Sequence, residues 1–169
     1  IQDFAINTHN WRYNTEPVTA LNGRRLYNPR GKMLGGSSGM NGMVYIRGDR
    51  SDFDKWHDLG NQGWSYNDVL PYFRKAERNV RGESQYHGAF GPLHVSEGDA
   101  SFEAYRAFIE AAASLGYPQN NDFNGDTQEG IGVYQFTVKD GRRAGVKRCY
   151  IDPMLDRPNV RVEVNARAR

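Results

Sequence analysis

Apolar residues recur at helical spacing in two stretches of the chain and alternate in others. Phe102, Tyr105, Phe108, Ile109 and Ala112 stand three or four residues apart, which places their side chains on one face of an α-helix. The pattern predicts a helix over 101–115, with Asp99 and Glu103 at its positive end and Gly116 and Pro118 stopping it. Its stripe is expected to be core. Val69, Leu70, Phe73 and Ala76 predict a second helix over 67–77. Ser65 or Asn67 can cap it, and Pro71 is tolerable only in its first turn. Val133, Gln135 and Thr137 alternate with Tyr134, Phe136 and Val138, predicting a strand with apolar groups on both faces, and Asp140-Gly141 marks a turn. Val160, Val162 and Val164 alternate with Arg161 and Glu163, predicting a half-buried strand. Leu93-His94-Val95 reads as a short strand and 143–151 as a helix.

The remainder is polar and turn-rich. Residues 1–29 form an arm punctuated by Pro17 and Pro29, with Trp11, Tyr13 and Tyr27 expected to anchor it by packing on something larger. Residues 30–48 read as a glycine-rich turn and a short helix in which Met40, Met43, Val44 and Tyr45 share a buried side. Residues 49–64 read as a charged loop with solvated carboxylates, and 79–91 and 119–130 as further loops. Helices and strands without a regular βαβ beat predict an α/β chain of the mixed α+β kind.

Composition narrows the function classes. The chain's 169 residues suffice for one domain with a real core. A net charge of +2, with basic residues scattered apart from Arg142-Arg143 and Lys147-Arg148, calls for neither nucleic acid nor an anionic membrane. The single cysteine, Cys149, leaves no internal disulfide, fits a reducing compartment and is expected as a small buried hydrophobe. No apolar run approaches the ~18 residues of a membrane span, and Ile1-Gln2-Asp3-Phe4 is no signal peptide. The expected location is the cytoplasm, with peripheral membrane association as the alternative.

Metal and nucleophile signatures are missing. His9, His57, His87 and His94 lack metal-ligand spacing, and no second cysteine supports zinc. Asp122-Phe123-Asn124-Gly125-Asp126 places its glycine too early for a calcium loop, and Glu129 lies too near to close one, so it reads as a polar turn. No Gly-x-Ser-x-Gly occurs. Gly130-Ile131-Gly132-Val133-Tyr134-Gln135 lacks the third glycine of a dinucleotide fingerprint.

The densest chemistry lies in Arg30-Gly31-Lys32-Met33-Leu34-Gly35-Gly36-Ser37-Ser38-Gly39-Met40-Asn41-Gly42-Met43-Val44-Tyr45-Ile46-Arg47-Gly48. Paired glycines let another group approach the backbone, and a turn feeding a helix start suits a phosphate or other anion. With Asp54, Trp11-x-Tyr13, Thr15-Glu16-Pro17, Leu21-Asn22-Gly23-Arg24, Asp52-Phe53-Asp54-x-Trp56, Gly63-Trp64-Ser65-Tyr66 and Val69-Leu70-Pro71-Tyr72-Phe73, the string resembles the glucose–methanol–choline (GMC) family of FAD-dependent oxidoreductases. The resemblance covers essentially the full chain and is nearest to choline- and alcohol-dehydrogenase-like members.

That resemblance implies a partial GMC fold: the FAD-binding part, with a lid and part of the substrate domain. Residues 1–48 would be the FAD-contacting arm and glycine-rich motif, 49–77 lid and helix, 78–142 part of the substrate-side domain, and 143–169 a return to the FAD-binding domain. The family's dinucleotide fingerprint would lie upstream of Ile1 and its catalytic histidine pair beyond Arg169. The chain is therefore expected to be an inactive excerpt with no catalytic residue of its own. The implied cofactor-binding residues are Gly35, Gly36, Ser37, Asn41, Gly42, Met43, Val44 and Ala168. Ser37 would contact the phosphate region, Asn41, Gly42 and Val44 the isoalloxazine edge, and Ala168 the adenine side. Met40 stands where some members carry the histidine that bonds FAD, so the resemblance implies non-covalent FAD. Ala144-Gly145 follows Arg143 where relatives often have serine.

The reaction implied is oxidation of an alcohol by hydride transfer to flavin N5. The implied partners are a small-molecule alcohol, an electron acceptor and the rest of the same polypeptide. Two other readings compete: a hydroxynitrile lyase of the family that keeps FAD without redox chemistry, and a cofactor-free binding module.

Overall fold

The computed structural model describes residues 8–166. Two sequence expectations fall at the end of the chain: Ala168 as an adenine-side contact, and Arg169 as the point beyond which the catalytic histidines lie. Ala168 and Arg169 are both outside the described residues. The described residues fall into two compact units. One is built from segments up to Gly42 and from Gly145 onward, and the other from Met43–Ala144. Helices and short strands mix in an α/β arrangement. Among the described residues no helix is long and apolar enough to cross a membrane.

The first unit opens with a two-stranded antiparallel ribbon, β1 (Tyr13–Asn14) against β2 (Tyr27–Asn28). Tyr13, Tyr27 and Trp11, the expected anchors, are 38–49% exposed. The buried group of this arm is Asn10: its Oδ1 accepts from the amides of Arg12 (2.9 Å) and Arg30 (3.1 Å), and its Nδ2 donates to the Tyr27 hydroxyl at 2.7 Å. A short amide side chain can satisfy two backbone donors that an aromatic ring cannot. The glycine-rich stretch then forms a four-residue 3₁₀ turn, Gly36–Gly39. Residues 147–151 make a π-helical turn that buries Cys149, as its reading as a small hydrophobe requires, and a 3₁₀ turn follows at Asp152–Met154. Val160–Val164 does not form the expected strand. No described residue pairs with it, and Val162 and Val164 are 37% and 59% exposed.

The second unit starts with β3 (Val44–Tyr45), so the short helix expected over 30–48 ends early and Met40, Met43, Val44 and Tyr45 share no buried side. The expected charged loop is instead α1 (Arg50–Asp58). Its cause is a capping box: the Asp49 side chain accepts from the Ser51 amide (2.9 Å) while Asp52 accepts from the Asp49 amide (3.1 Å). Helix α2 (Tyr66–Ala76) starts the same way, with Ser65 and Asp68 as the reciprocal pair. Asp54 on α1 accepts from the Tyr66 amide at 2.9 Å, tying the two helices. Phe53 packs edge-on against Trp56 and Phe73, at centroid distances of 5.5 and 5.6 Å. Pro71 lies in the body of α2, not its first turn. Proline gives no amide to the carbonyl four residues back, and that carbonyl's residue, Asn67, is exposed to solvent.

Strand β4 (Glu77–Asn79), which runs from the predicted end of the second helix to the first residue of the expected 79–91 loop, pairs in parallel with β5 (Leu93–Val95), the predicted short strand. Helix α3 (Glu103–Ser114) forms close to its predicted bounds, but its stripe is not core: Phe102, Tyr105 and Phe108 are 57–65% exposed, and α3 has no buried residue. Helical period reports that a face is apolar, not what covers it. The strand expected over 133–138 is broken into β6 (Gln135–Phe136), antiparallel to β3, and β7 (Val138–Lys139), antiparallel to β8 (Arg142–Arg143). Asp140 and Gly141 both have positive φ, at 53° and 67°, the two-residue turn that matches strand twist. Arg143 therefore ends a strand, and the helix expected over 143–151 starts only at Lys147.

Candidate functional site

The glycine–serine turn is shaped by close backbone approach. A Cβ on Gly31 would run into the Gly36 carbonyl, and one on Gly35 would sit 2.8 Å from the Lys147 amide nitrogen at a φ of +85°. Ser37 Oγ accepts from the Gly31 amide at 3.1 Å. Ser38 Oγ donates to the Gly35 carbonyl (2.6 Å) and accepts from the Val146 amide (2.9 Å), which fastens the turn to the segment entering 147–151. Both serines are thus engaged in holding the turn. A four-residue 3₁₀ turn has no developed macrodipole, so the helix-dipole argument for anion binding fails here. What the turn offers a ligand is open space: a Cβ added at Gly36 or Gly42 would meet no protein atom within 4 Å.

Gly35, Gly36, Ser37, Asn41 and Gly42 lie in the first unit, and Met43 and Val44 begin the second. Asn41 and Gly42 are exposed, and the Asn41 amide donates to the Ser37 carbonyl at 3.0 Å. Met43 adopts φ +63°. Val44 is 43% exposed on β3. In the first unit a cavity of about 580 Å³ is lined by Trp11, Gly31–Leu34 and Glu163–Ala166, within the size range of cofactor clefts. Lys32 Nζ lies 5.0 Å from the Trp11 ring centroid at its wall.

A second constellation, invisible in the sequence, sits in the core of the second unit. Glu77 is fully buried and contacts Arg47 NH2 at 2.6 Å and His87 Nδ1 at 3.0 Å. Asn79 Nδ2 (2.8 Å) and the Gly88 amide (3.2 Å) also donate to it. The other nitrogen of His87, Nε2, contacts Asp122 at 2.8 Å. Both ring nitrogens face carboxylates, so the ring is an imidazolium. Arg81 bridges Glu97 (2.5 Å) and Asp122 (3.8 Å), and Gln135 joins Glu97 (3.0 Å) to Asn79 (3.2 Å). Three cations thus face three carboxylates.

The electrostatics follow. Burial would raise the Glu77 pKa, but hydrogen bonds from His87 and Asn79 and the charges of Arg47 and His87 outweigh it and hold the carboxyl below its ordinary value. Burial would likewise lower the His87 pKa, but the hydrogen bonds to Asp122 and Glu77 and both carboxylate charges lift it to about 9. Asp122 is held low against burial by the His87 hydrogen bond and charge. A raised histidine pKa contributes stability that is complete below 6.5, its ordinary value, and is lost as pH rises through about 9. The lowered carboxylates act at the other end, contributing above their ordinary values and losing this as pH falls. Denaturation midpoints of the parent protein are therefore expected to decline between pH 6.5 and 9, and His87→Gln to remove that slope while lowering stability at about pH 6.

Asp122 and Asn124 belong to the stretch expected to be a polar turn. Asn124 is buried, accepts from the Arg47 amide at 2.8 Å and donates to the Tyr45 carbonyl at 3.1 Å. Among the described residues no group of three or more His, Cys, Asp or Glu side chains could hold a metal ion. The network is a scaffold for the end of β3, the strand that starts at the predicted cofactor-edge residues.

The family model for GMC oxidoreductases matches residues 13–169. The chain belongs to the GMC oxidoreductase family. It is 46% identical over 164 residues to mitochondrial choline dehydrogenase of Mus musculus, covering 97% of this chain and 28% of that protein. It is 48% identical over 156 residues to oxygen-dependent choline dehydrogenase of Rhizobium rhizogenes, covering 92% and 28%. Among solved structures, pyridoxine 4-oxidase from Mesorbium loti superimposes with a TM-score of 0.76 at 36% identity, covering 86% of this chain and 29% of that one. An FAD-dependent oxidoreductase from Chaetomium thermophilum gives 0.80 at 29% identity, covering 89% and 28%. The chain spans about 28% of the length of the curated GMC relatives it matches.

Proposed function

We propose that this GMC chain is the FAD-contacting N-terminal part of an alcohol oxidoreductase of the choline dehydrogenase type. The observation that carries this is the glycine–serine turn, in which Gly31 and Gly35 are packed against backbone while Gly36 and Gly42 face open space. Gly36 needs glycine for its φ of +56° in any case; Gly42, outside the left-handed region and with no atom near its missing Cβ, is the one whose room is left for a group the protein itself does not supply. FAD fits that room and the adjoining chemistry. Gly36 and Ser37 would border its phosphates, Asn41, Gly42, Met43 and Val44 its isoalloxazine edge, and Ala168 its adenine side.

When bound, FAD supplies the hydride acceptor, at N5, for the carbon bearing the substrate hydroxyl. The residues of this chain orient and enclose. A small-molecule alcohol, an electron acceptor and the remaining polypeptide complete the reaction, and the proton-accepting group belongs to that remainder.

Met40 has no atom that bonds FAD, so binding is non-covalent. Acid precipitation of the yellow full-length protein is expected to leave a colourless pellet and release all flavin to the supernatant. A pellet that stays yellow after unfolding contradicts non-covalent attachment, and a parent that purifies colourless and takes up no FAD contradicts the functional reading itself.

A further inference from the structure

Met43 adopts left-handed backbone geometry, φ +63°. Arg12, Asn22, Asp140 and Asn165 share that region; the short polar side chains of Asn22, Asp140 and Asn165 tolerate it, which leaves Arg12 and Met43 as the long side chains held there. Methionine has no such compensation, and a residue held there persists only where its surroundings over-determine it. The surroundings here are specific. The Met43 carbonyl accepts two hydrogen bonds from one residue: the Thr137 amide at 2.8 Å and the Thr137 hydroxyl at 3.2 Å. The two residues after Met43 are locked in register, Val44 opposite Phe136 and Tyr45 opposite Gln135.

Thr137 is itself fixed. It falls between β6 and β7 and belongs to neither ladder, which is why the predicted single strand is broken there. Its carbonyl accepts from the Ala144 amide at 2.9 Å, and Ala144 is 1% exposed. Phe136, the residue before it, exchanges amide–carbonyl bonds of 2.9 Å with Ser96. Thr137 thus ties the Met43 carbonyl to the β7–β8 hairpin through Ala144 and stands next to Phe136, which is paired on both sides, with Val44 and with Ser96.

We propose that Thr137 is a positioning residue: by gripping the Met43 carbonyl with both its amide and its hydroxyl, it sets the course of the Met43–Val44 backbone along the flavin edge. This rests on the FAD reading above. A threonine serves where valine would not, because the β-branched shape fits the strand break while the hydroxyl adds the second donor.

The test uses the full-length flavoprotein with Thr137→Val, which keeps shape and amide but loses the hydroxyl, and Thr137→Ser, which keeps it. Thr137→Val is expected to retain a full complement of FAD, to shift the flavin visible spectrum and midpoint potential, and to lower kcat roughly three- to tenfold, the range one hydrogen bond spans, with KM unchanged. Thr137→Ser is expected to restore all three. A Thr137→Val protein with parental spectrum, potential and kcat overturns the proposal. So does one that only melts earlier, since that is a structural role alone. A parent that binds no FAD overturns the FAD reading and this proposal together; a flavin-loaded parent with a silent Thr137→Val overturns this proposal alone.

Discussion

Replacing Glu77 with leucine in the full-length protein is expected to cost about 3–5 kcal/mol of stability, the range for removing one partner of a buried ion pair. The loss is large because Glu77 is fully buried and answers several donors at once: Arg47, His87, Asn79 and the Gly88 amide. Without it, the Arg47 guanidinium, with its side chain 3% exposed, keeps among the described residues the Tyr86 carbonyl at 2.8 Å, the Tyr45 hydroxyl at 3.5 Å and the aromatic faces of Phe73 and Tyr45. Adding Arg47→Met to Glu77→Leu is expected to recover part of the loss, since two well-packed apolar groups leave one uncompensated charge fewer. Chemical denaturation of the two variants checks this. A Glu77→Leu protein within about 1 kcal/mol of the parent contradicts the assignment of Glu77 as the keystone of this core.

The second large effect concerns Gly42. A Cβ there meets no protein atom within 4 Å, and its φ lies outside the left-handed range. Gly42→Val therefore leaves the fold intact and restricts the unfolded chain, which stabilises where the backbone is compatible. If the isoalloxazine edge lies against this residue, the two valine methyls occupy its place, and FAD binding is expected to be abolished while melting temperature without flavin is unchanged or higher. Asn41→Ala is expected to keep FAD and mainly slow flavin reduction, since it removes one polar contact of about 0.5–1.5 kcal/mol. The flavin-to-protein absorbance ratio of the two purified variants separates the cases. Full FAD occupancy in Gly42→Val contradicts the placement of the cofactor along 35–44.

Local signals in this sequence were reliable where they were self-contained. Helix α2 and helix α3 declare their stripes, and Asp140-Gly141 declares its hairpin. Helix α1 carried its signal too, in Asp49-x-x-Asp52 before Phe53, but an aspartate pair reads as surface charge unless the reciprocal cap is considered. The exposure of α3, and the lack of a strand partner for 160–164 among the described residues, are tertiary facts that no periodicity encodes. The buried network was illegible for a related reason. Arg47 and Glu77 are 30 positions apart, Glu77 and His87 10, and His87 and Asp122 35. Charged residues at such spacing look like a solvated surface, and His87 weighed only as a metal ligand gives no hint of a buried imidazolium. The glycine-rich motif was legible as a motif. The division of labour within it, with Gly31 and Gly35 packed and Gly36 and Gly42 open, needed coordinates.

The proposed role of this chain is to help hold FAD for the oxidation of an alcohol. Anaerobic addition of choline, then of other small alcohols, to the purified full-length protein tests it most directly, read as flavin absorbance. Bleaching of the oxidised flavin by at least one of them is the result predicted. A protein that holds its flavin and stays fully oxidised with every alcohol contradicts the claim and points to the lyase-type use of FAD.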